Sequence, residues 1–296
     1  MQGPIRILLQ TTIPAEDNNW DIKRFSLLAE HLASLKGNSG PPLCEVVARN
    51  READANGDDP VLSALDRSDF DELWLFAVDA GDGLSANDCM GISRFRRRGG
   101  GILCARDHQD LGSSLCALGG VGEAHFFHSR HPEPDALRQV RDDEETPTIS
   151  WPNYHSGSNG DYQSIRSLSP LHELLHRPDD QAIQFFPAHP HEGAVGVPAE
   201  GKNARVIAVG TSQTTQRQFN LIVAFERGLA EDGAHLGRGI AESSFHHFAD
   251  YNWDLSRGAP DFVSEKPGEG IARDPSRLED IKSYVRNAAV WLAPER

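Results

Sequence analysis

Four short, largely apolar runs separated by helical segments occupy the first 105 residues, and this alternation leaves the chain very few architectures. Ile5–Leu9, Cys44–Ala48, Leu73–Val78 and Ile102–Ala105 read as strands buried on both sides. After Trp20, the residues Ile22, Phe25, Ala29, Leu32 and Leu35 recur at helical spacing, and Gly37 ends the run. Asp59-Pro60 supplies a cap and a first-turn proline for a short helix carrying Val61, Leu62 and Leu65. Ser85 caps another helix, which presents Cys89, Ile92 and Phe95 on one side and stops at Gly99-Gly100-Gly101. Strands joined through helices need right-handed crossovers, so the expected product is a parallel sheet covered on both faces. Ligands of such sheets bind beyond the carboxyl ends of the strands. The loops after residues 9, 78 and 105 are therefore where chemistry is expected.

Residues 129–200 break the rhythm, being rich in Pro, His, Asp and Ser, and read as an insertion or lid within one domain spanning 1–296. Sheet signals return at Ala204–Val209 and Leu221–Phe225, a hairpin or two adjacent strands, and at Gly239–Glu242. Asp274-Pro275 opens a last helix in which Leu278, Ile281, Val285, Ala288 and Leu292 alternate spacings of three and four.

Charge narrows the function classes. With 29 Lys and Arg against 44 Asp and Glu, the net charge of −15 disfavours nucleic acid, whose binding needs clustered cations to displace counterions. The dense basic run Arg94, Arg96, Arg97 and Arg98 reads as the polar end of a helix, where positive charge complements the dipole. No stretch approaches the roughly 20 apolar residues needed to span a bilayer, and no secretory signal pattern opens the chain. Cys44, Cys89, Cys104 and Cys116 show no CxxC spacing, so reduced thiols in a cytoplasmic protein are expected, with Cys104 held back for chemistry. The expected partner is a small molecule, with neither nucleic acid nor membrane, and a homo-oligomer is left open. No motif calls for a cofactor.

Two segments carry a family resemblance. Phe70–Phe76, a helix, and then Arg98-Gly99-Gly100-Gly101-Ile102-Leu103 resemble the strand, helix, glycine-triplet and strand core of ThuA-like proteins and the wider class I glutamine amidotransferase-like superfamily. Gly237–Phe248, with its Gly-Arg, short strand, small residues and His246-His247, is similar to the segment that brings a histidine to the active site there. Together they cover about a sixth of the chain. The resemblance implies a three-layer α/β/α flavodoxin-like sandwich with a mostly parallel sheet and an irregular insertion. By itself it does not imply catalysis.

In active members, a cysteine on a tight strand-to-helix turn attacks a carbonyl, a histidine from a later strand end activates it, and an acid orients the histidine. A thiol needs such a base, or a helix N-terminus, to form its thiolate near neutral pH. The resemblance implies Cys104 as the nucleophile, between its strand and a helix expected at Gln109–Leu118, with His247 or His246 as base and Asp250 as orienting acid. Backbone amides near Ala105 would stabilise the oxyanion. Glu16 or Asp17, after the first strand, and Arg106, Asp107 and His108, after the fourth, are candidates for binding a small polar substrate, such as a carbohydrate. The sequence departs from the family at the turn, with Ile102 and Arg106 where the elbow carries glycine. An ordinary buried cysteine would look the same. A non-catalytic binding or assembly module on the same fold is the alternative.

The histidine-rich stretch contains His172-Glu173-Leu174-Leu175-His176, which satisfies the HExxH pattern of zinc hydrolases. His189, His191 or Glu192 would be the third ligand of a metal-dependent hydrolase. The pattern is short, Pro170 and Pro178 confine the segment to about two turns, and the plainer reading is an amphipathic surface helix with Leu171, Leu174 and Leu175 inward, so no metal ligand is assigned.

Overall fold

Each apolar run read as a strand in the first 105 residues forms one, and the four pair in parallel. The protein is described from a computed structural model covering residues 3–13, 15–37, 40–76, 83–106, 117–126, 136, 154–199, 201, 203–230 and 232–295. Strands β1 (Ile5–Thr11), β2 (Cys44–Asn50), β3 (Glu72–Phe76) and β4 (Gly101–Ala105) are joined by β5 (Arg166–Ser167), β6 (Ala204–Thr211), β7 (Gln218–Phe225) and β8 (Gly239–Glu242). The sheet order is β2-β1-β3-β4-β8-β7-β6-β5. Strand β8 is parallel to β4, and β7, β6 and β5 then extend the sheet antiparallel. The parallel half thus has the flavodoxin-like order.

Strand residues alternate between two apolar layers. Ile7, Leu9, Trp74, Phe76 and Leu103 face α1 (Ser26–Ser34) and the last helix, here α4 (Leu278–Leu292), which buries Ile281, Tyr284, Val285, Ala288 and Leu292. Leu8, Leu73, Leu75, Ile102 and Cys104 face α2 (Ala86–Arg97) through Ile92 and Phe95. Both layers being filled, the expected three-layer sandwich forms. Ser85 caps α2 in a reciprocal box with Asp88. A short helix, α3 (Asp250–Trp253), follows β8.

Several local expectations resolve differently. Asp59-Pro60 opens only turns, ending in a 3-10 turn at Leu65–Arg67. The Asp59 carboxylate accepts from Val61 N and Leu62 N as a cap would, but it also binds Arg49 and Gln10. The segment lies so close to α2 that a Cβ at Gly91 would sit 2.1 Å from the Leu62 carbonyl oxygen. Within the basic run, Arg94 pairs with Asp66 and Arg98 donates to the Ser68 and Phe70 carbonyls, while Arg96 turns inward to the Gly237 and Gly119 carbonyls.

Of the stretch expected as an insertion or lid, residues 136 and 154–199 are described, and the latter part packs against the sheet. It supplies edge strand β5 and a small antiparallel pair, Tyr162–Ser164 with Phe185–Pro187. The HExxH segment forms one 3-10 turn, Glu173–Leu175, so His172 and His176 do not share a helical face. His172 is taken up by Glu226 and the Trp291 ring. Cys89 is disulfide-bonded, contrary to the expectation of reduced thiols, while Cys44 and Cys104 are free. Among the described residues no helix is long and apolar enough to cross a membrane. Asp107, His108 and Gln109–Cys116 of the expected helix lie outside the described residues.

Candidate functional site

The carboxyl edge of β8 carries the densest group of buried polar side chains. Its last residue, Glu242, is followed by Ser243, Ser244 and a 3-10 turn, Phe245–Phe248, whose start is capped by the Ser244 hydroxyl accepting from His246 N at 3.1 Å. The turn sends its two histidines to different neighbours.

His247 goes into the core, fully buried between two carboxylates that are themselves fully buried. Its Nε2 donates to Glu192 Oε1 at 3.0 Å, and its Nδ1 lies 3.5 Å from Glu242 Oε2. Burial alone pushes the imidazole pKa down, but attraction and hydrogen bonding from Glu192, then Glu242, outweigh it and hold the pKa up at about 10. His247 is therefore an imidazolium at neutral pH. Glu192 also accepts from Ser156 Oγ at 2.9 Å, Gln163 Nε2 at 2.6 Å and Ser243 Oγ at 2.8 Å. Burial raises the Glu242 pKa, and the Tyr284 hydroxyl of α4 donates to this carboxyl. This cluster ties residues 156–192, β8 and α4 together. Its three titratable members, His247, Glu192 and Glu242, have no exposed surface.

His246 faces the other way, toward the loop after β1. Its ring stacks on His189 with centroids 3.7 Å apart and meets the Trp20 ring edge-on at 4.8 Å. His189 Nδ1 lies 3.0 Å from Asn159 Oδ1, and His191, beside it, bonds Glu265 through Nε2 at 2.8 Å. Asn252 holds the turn by donating to the His246 carbonyl at 2.9 Å while accepting from Gly160 N. Three imidazoles, an indole and two asparagine side chains, each 5% exposed or less, thus pack together at the carboxyl edge, the end of the sheet where such folds bind ligands. Among the described residues no group of three or more His, Cys, Asp or Glu is arranged to hold a metal ion.

Cys104 is not part of this assembly. Strand alternation puts it on the α2 face, packed with Leu75, Ile102 and Ala241, whereas Glu242 and His247 lie on the α4 face. Its Sγ lies 3.2 Å from His125 Nε2, and the side chain is fully buried. Asp250 does not orient either histidine. It accepts from Ser26 N at 3.1 Å, Ser26 Oγ at 2.5 Å and Leu27 N at 2.8 Å, capping α1. Burial raises its pKa against the opposing effect of those bonds. Arg106 is buried just past β4, and its carbonyl accepts from Phe245 N at 3.1 Å, which joins the β4 and β8 exits through backbone. Glu16 and Asp17 are exposed.

No family model matches the chain, and no curated protein matches it. Solved structures are similar to it. They include a ThuA-like protein from Bacteroides uniformis, with a TM-score of 0.45 and 10% identity over 99% of this chain and 93% of that one. A glutaminase domain of Trypanosoma brucei CTPS has a TM-score of 0.43 and 10% identity over 99% and 98% of the two chains. The N-terminal domain of mmIFT52 has a TM-score of 0.49 and 13% identity, covering 84% of this chain and 94% of that domain. At these values the likeness says nothing of activity.

Trp20, Ser156, Asn159, Gln163, Glu242 and Tyr284 are not among the sequence candidates, where His189, His191 and Glu192 stand only as metal ligands. A usable signal existed at Glu242: an acid closing an otherwise apolar strand and followed by two serines and two histidines. Nothing local marked Gln163 or Tyr284, which arrive from other elements.

Proposed function

We propose that this protein is a ThuA-like, glutamine amidotransferase-like protein that binds a small polar, hydroxyl-bearing ligand at the carboxyl edge beside Trp20, His189 and His246, and that it does so without a cysteine nucleophile. The observation supporting this reading is the separation of Cys104 from His246 and His247 by the sheet itself, with the thiol fully buried. A thiol-dependent hydrolase or transferase needs both its thiol and its base within reach of substrate, whereas Cys104 and His125, the imidazole 3.2 Å from its sulfur, are both buried. The loss of glycine at positions 102 and 106 agrees with a turn that no longer exposes a nucleophile. The ligand class follows from the side chains that converge there. Imidazoles and a primary amide offer both donors and acceptors, and the indole offers an apolar surface, a combination suited to sugar hydroxyls.

Isothermal titration calorimetry with a panel of mono- and disaccharides and their uronic acids tests this. Binding should survive in Cys104→Ala and weaken about tenfold or more in His246→Ala, the effect of losing one ligand hydrogen bond. Loss of binding or turnover in a folded Cys104→Ala protein would refute the reading. So would alkylation of Cys104 in the native state as fast as in the unfolded chain.

A further inference from the structure

Between the turn Leu255–Arg257 and a one-turn helix at Gly270–Arg273, residues 258–269 form neither helix nor strand. Both ends of this run are pinned. Arg24 Nη1 donates to the Gly258 carbonyl at 2.8 Å, and Gly258 takes a φ of +71°, which glycine tolerates. At the other end Gly268 N donates to the Asn159 carbonyl at 2.8 Å, Gly270 N to Asp161 Oδ1 at 2.8 Å and Ile271 N to the Gly160 carbonyl at 2.9 Å.

The middle is held more lightly. Among the described residues, its backbone makes a local turn bond, Val263 N to the Pro260 carbonyl, and an outside bond, Asp261 N to Asn18 Oδ1 at 2.7 Å. Asp261, Phe262, Ser264 and Lys266 are exposed, Ala259 and Val263 are half-buried, and Pro260 is the one buried residue of the run. A segment that buries so little apolar surface opens at a cost well below that of global unfolding.

The same run bridges two sides of the carboxyl-edge cluster. Asn18 belongs to the loop that carries Trp20, and Glu265 Oε1 lies 2.8 Å from Nε2 of His191, whose ring is 5.3 Å from that of His189. A ligand at this edge must reach Trp20, His189 and His246, yet none of the three is more than 5% exposed, so access requires a movement.

We propose that residues 258–269 are a strap closed over the carboxyl-edge site, which lifts between its pinned ends, parting Glu265 from His191 and Asp261 from Asn18, to admit the ligand. This rests on the ligand site proposed above and adds the step that gives access to it.

Diethyl pyrocarbonate, which modifies accessible neutral imidazoles, tests this on the full chain near neutral pH without any ligand, the modified peptides being quantified by mass spectrometry. His235, exposed on its hairpin, gives the rate for an open ring. His172, 3% exposed and held away from the strap by Glu226 and Trp291, gives the rate set by unfolding. In wild type, His189 and His246 should react more slowly than His235 and faster than His172. Glu265→Ala and Asn18→Ala each remove one tie, and each should raise the rates at His189 and His246 about fivefold, as the loss of one hydrogen bond allows, with His172 unchanged. A variant in which His172 reacts quickly has lost its fold, and the other variant then decides. The proposal is overturned if both rings react as fast as His235 in wild type, or stay at the His172 rate in a folded variant. No sugar enters this measurement. Accelerated labelling without saccharide binding therefore refutes the ligand reading and leaves the strap, whereas saccharide binding without labelling refutes the strap alone.

Discussion

Replacing Glu192 by Gln should flatten the dependence of stability on pH above neutrality. In the folded protein His247 has its pKa raised from 6.5 to about 10, so it keeps its proton over a range in which the unfolded chain loses it. The stabilisation from that proton is fully present below pH 6.5 and is lost as pH rises through about 10. At 1.36 kcal/mol per pH unit the whole interval amounts to on the order of 5 kcal/mol, and the side chain is too buried for solvent to screen it. Glu192→Gln keeps the volume and one acceptor oxygen for Gln163, Ser156 and His247, but it removes the charge that most favours the imidazolium. Urea unfolding at several pH values between 6 and 10 reads this directly. Wild type should lose about 1 kcal/mol or more per pH unit through part of that range, and Glu192→Gln should lose less than half as much. Equal slopes for the two proteins would refute the assignment of a charged His247 held by Glu192. Glu192→Ala is the harsher control, and about 3–5 kcal/mol of destabilisation is expected from leaving the imidazolium short of a partner.

Asp250→Ala should cost about 1–2 kcal/mol of stability by urea titration, the loss of a helix cap, without changing ligand affinity. An affinity loss in the folded variant would instead place Asp250 in the site. Gly91→Ala should destabilise by about 1–3 kcal/mol or prevent soluble expression, because the added carbon would meet the Leu62 and Ser63 backbone; a variant as stable as wild type would mean the turn at 60–64 can yield. Cys104 should react with an aromatic disulfide reagent only at the rate of global unfolding, since it has no exposed surface. Prompt native-state labelling at this residue contradicts its burial.

How much was legible differs between fold and site. The four apolar runs and their helices announce a parallel sheet because a strand buried on both faces has no room for polar residues, and Ser85 and Asp274-Pro275 mark real helix starts. The turn at Asp59 misled because a capping aspartate looks the same whether a helix follows or Arg49 claims the carboxylate. For the site, the neighbourhood of His246 and His247 was visible, but partners were assigned by closeness in sequence. Asp250 is three residues from His247 yet spends its carboxylate on α1, whereas Glu192 is 55 residues away and in direct contact.

Apolar periodicity and crossover handedness set the layers, the direction of the first strands and the edge where their loops gather. Which polar groups meet is a property of the folded chain. A side chain's face depends on a two-residue alternation that strand ends and turns reset, and this placed Cys104 under α2 and His247 against α4, on opposite sides of one sheet. Contacts such as Glu192 with His247 or Tyr284 with Glu242 join segments that are distant in sequence, and no local pattern encodes them.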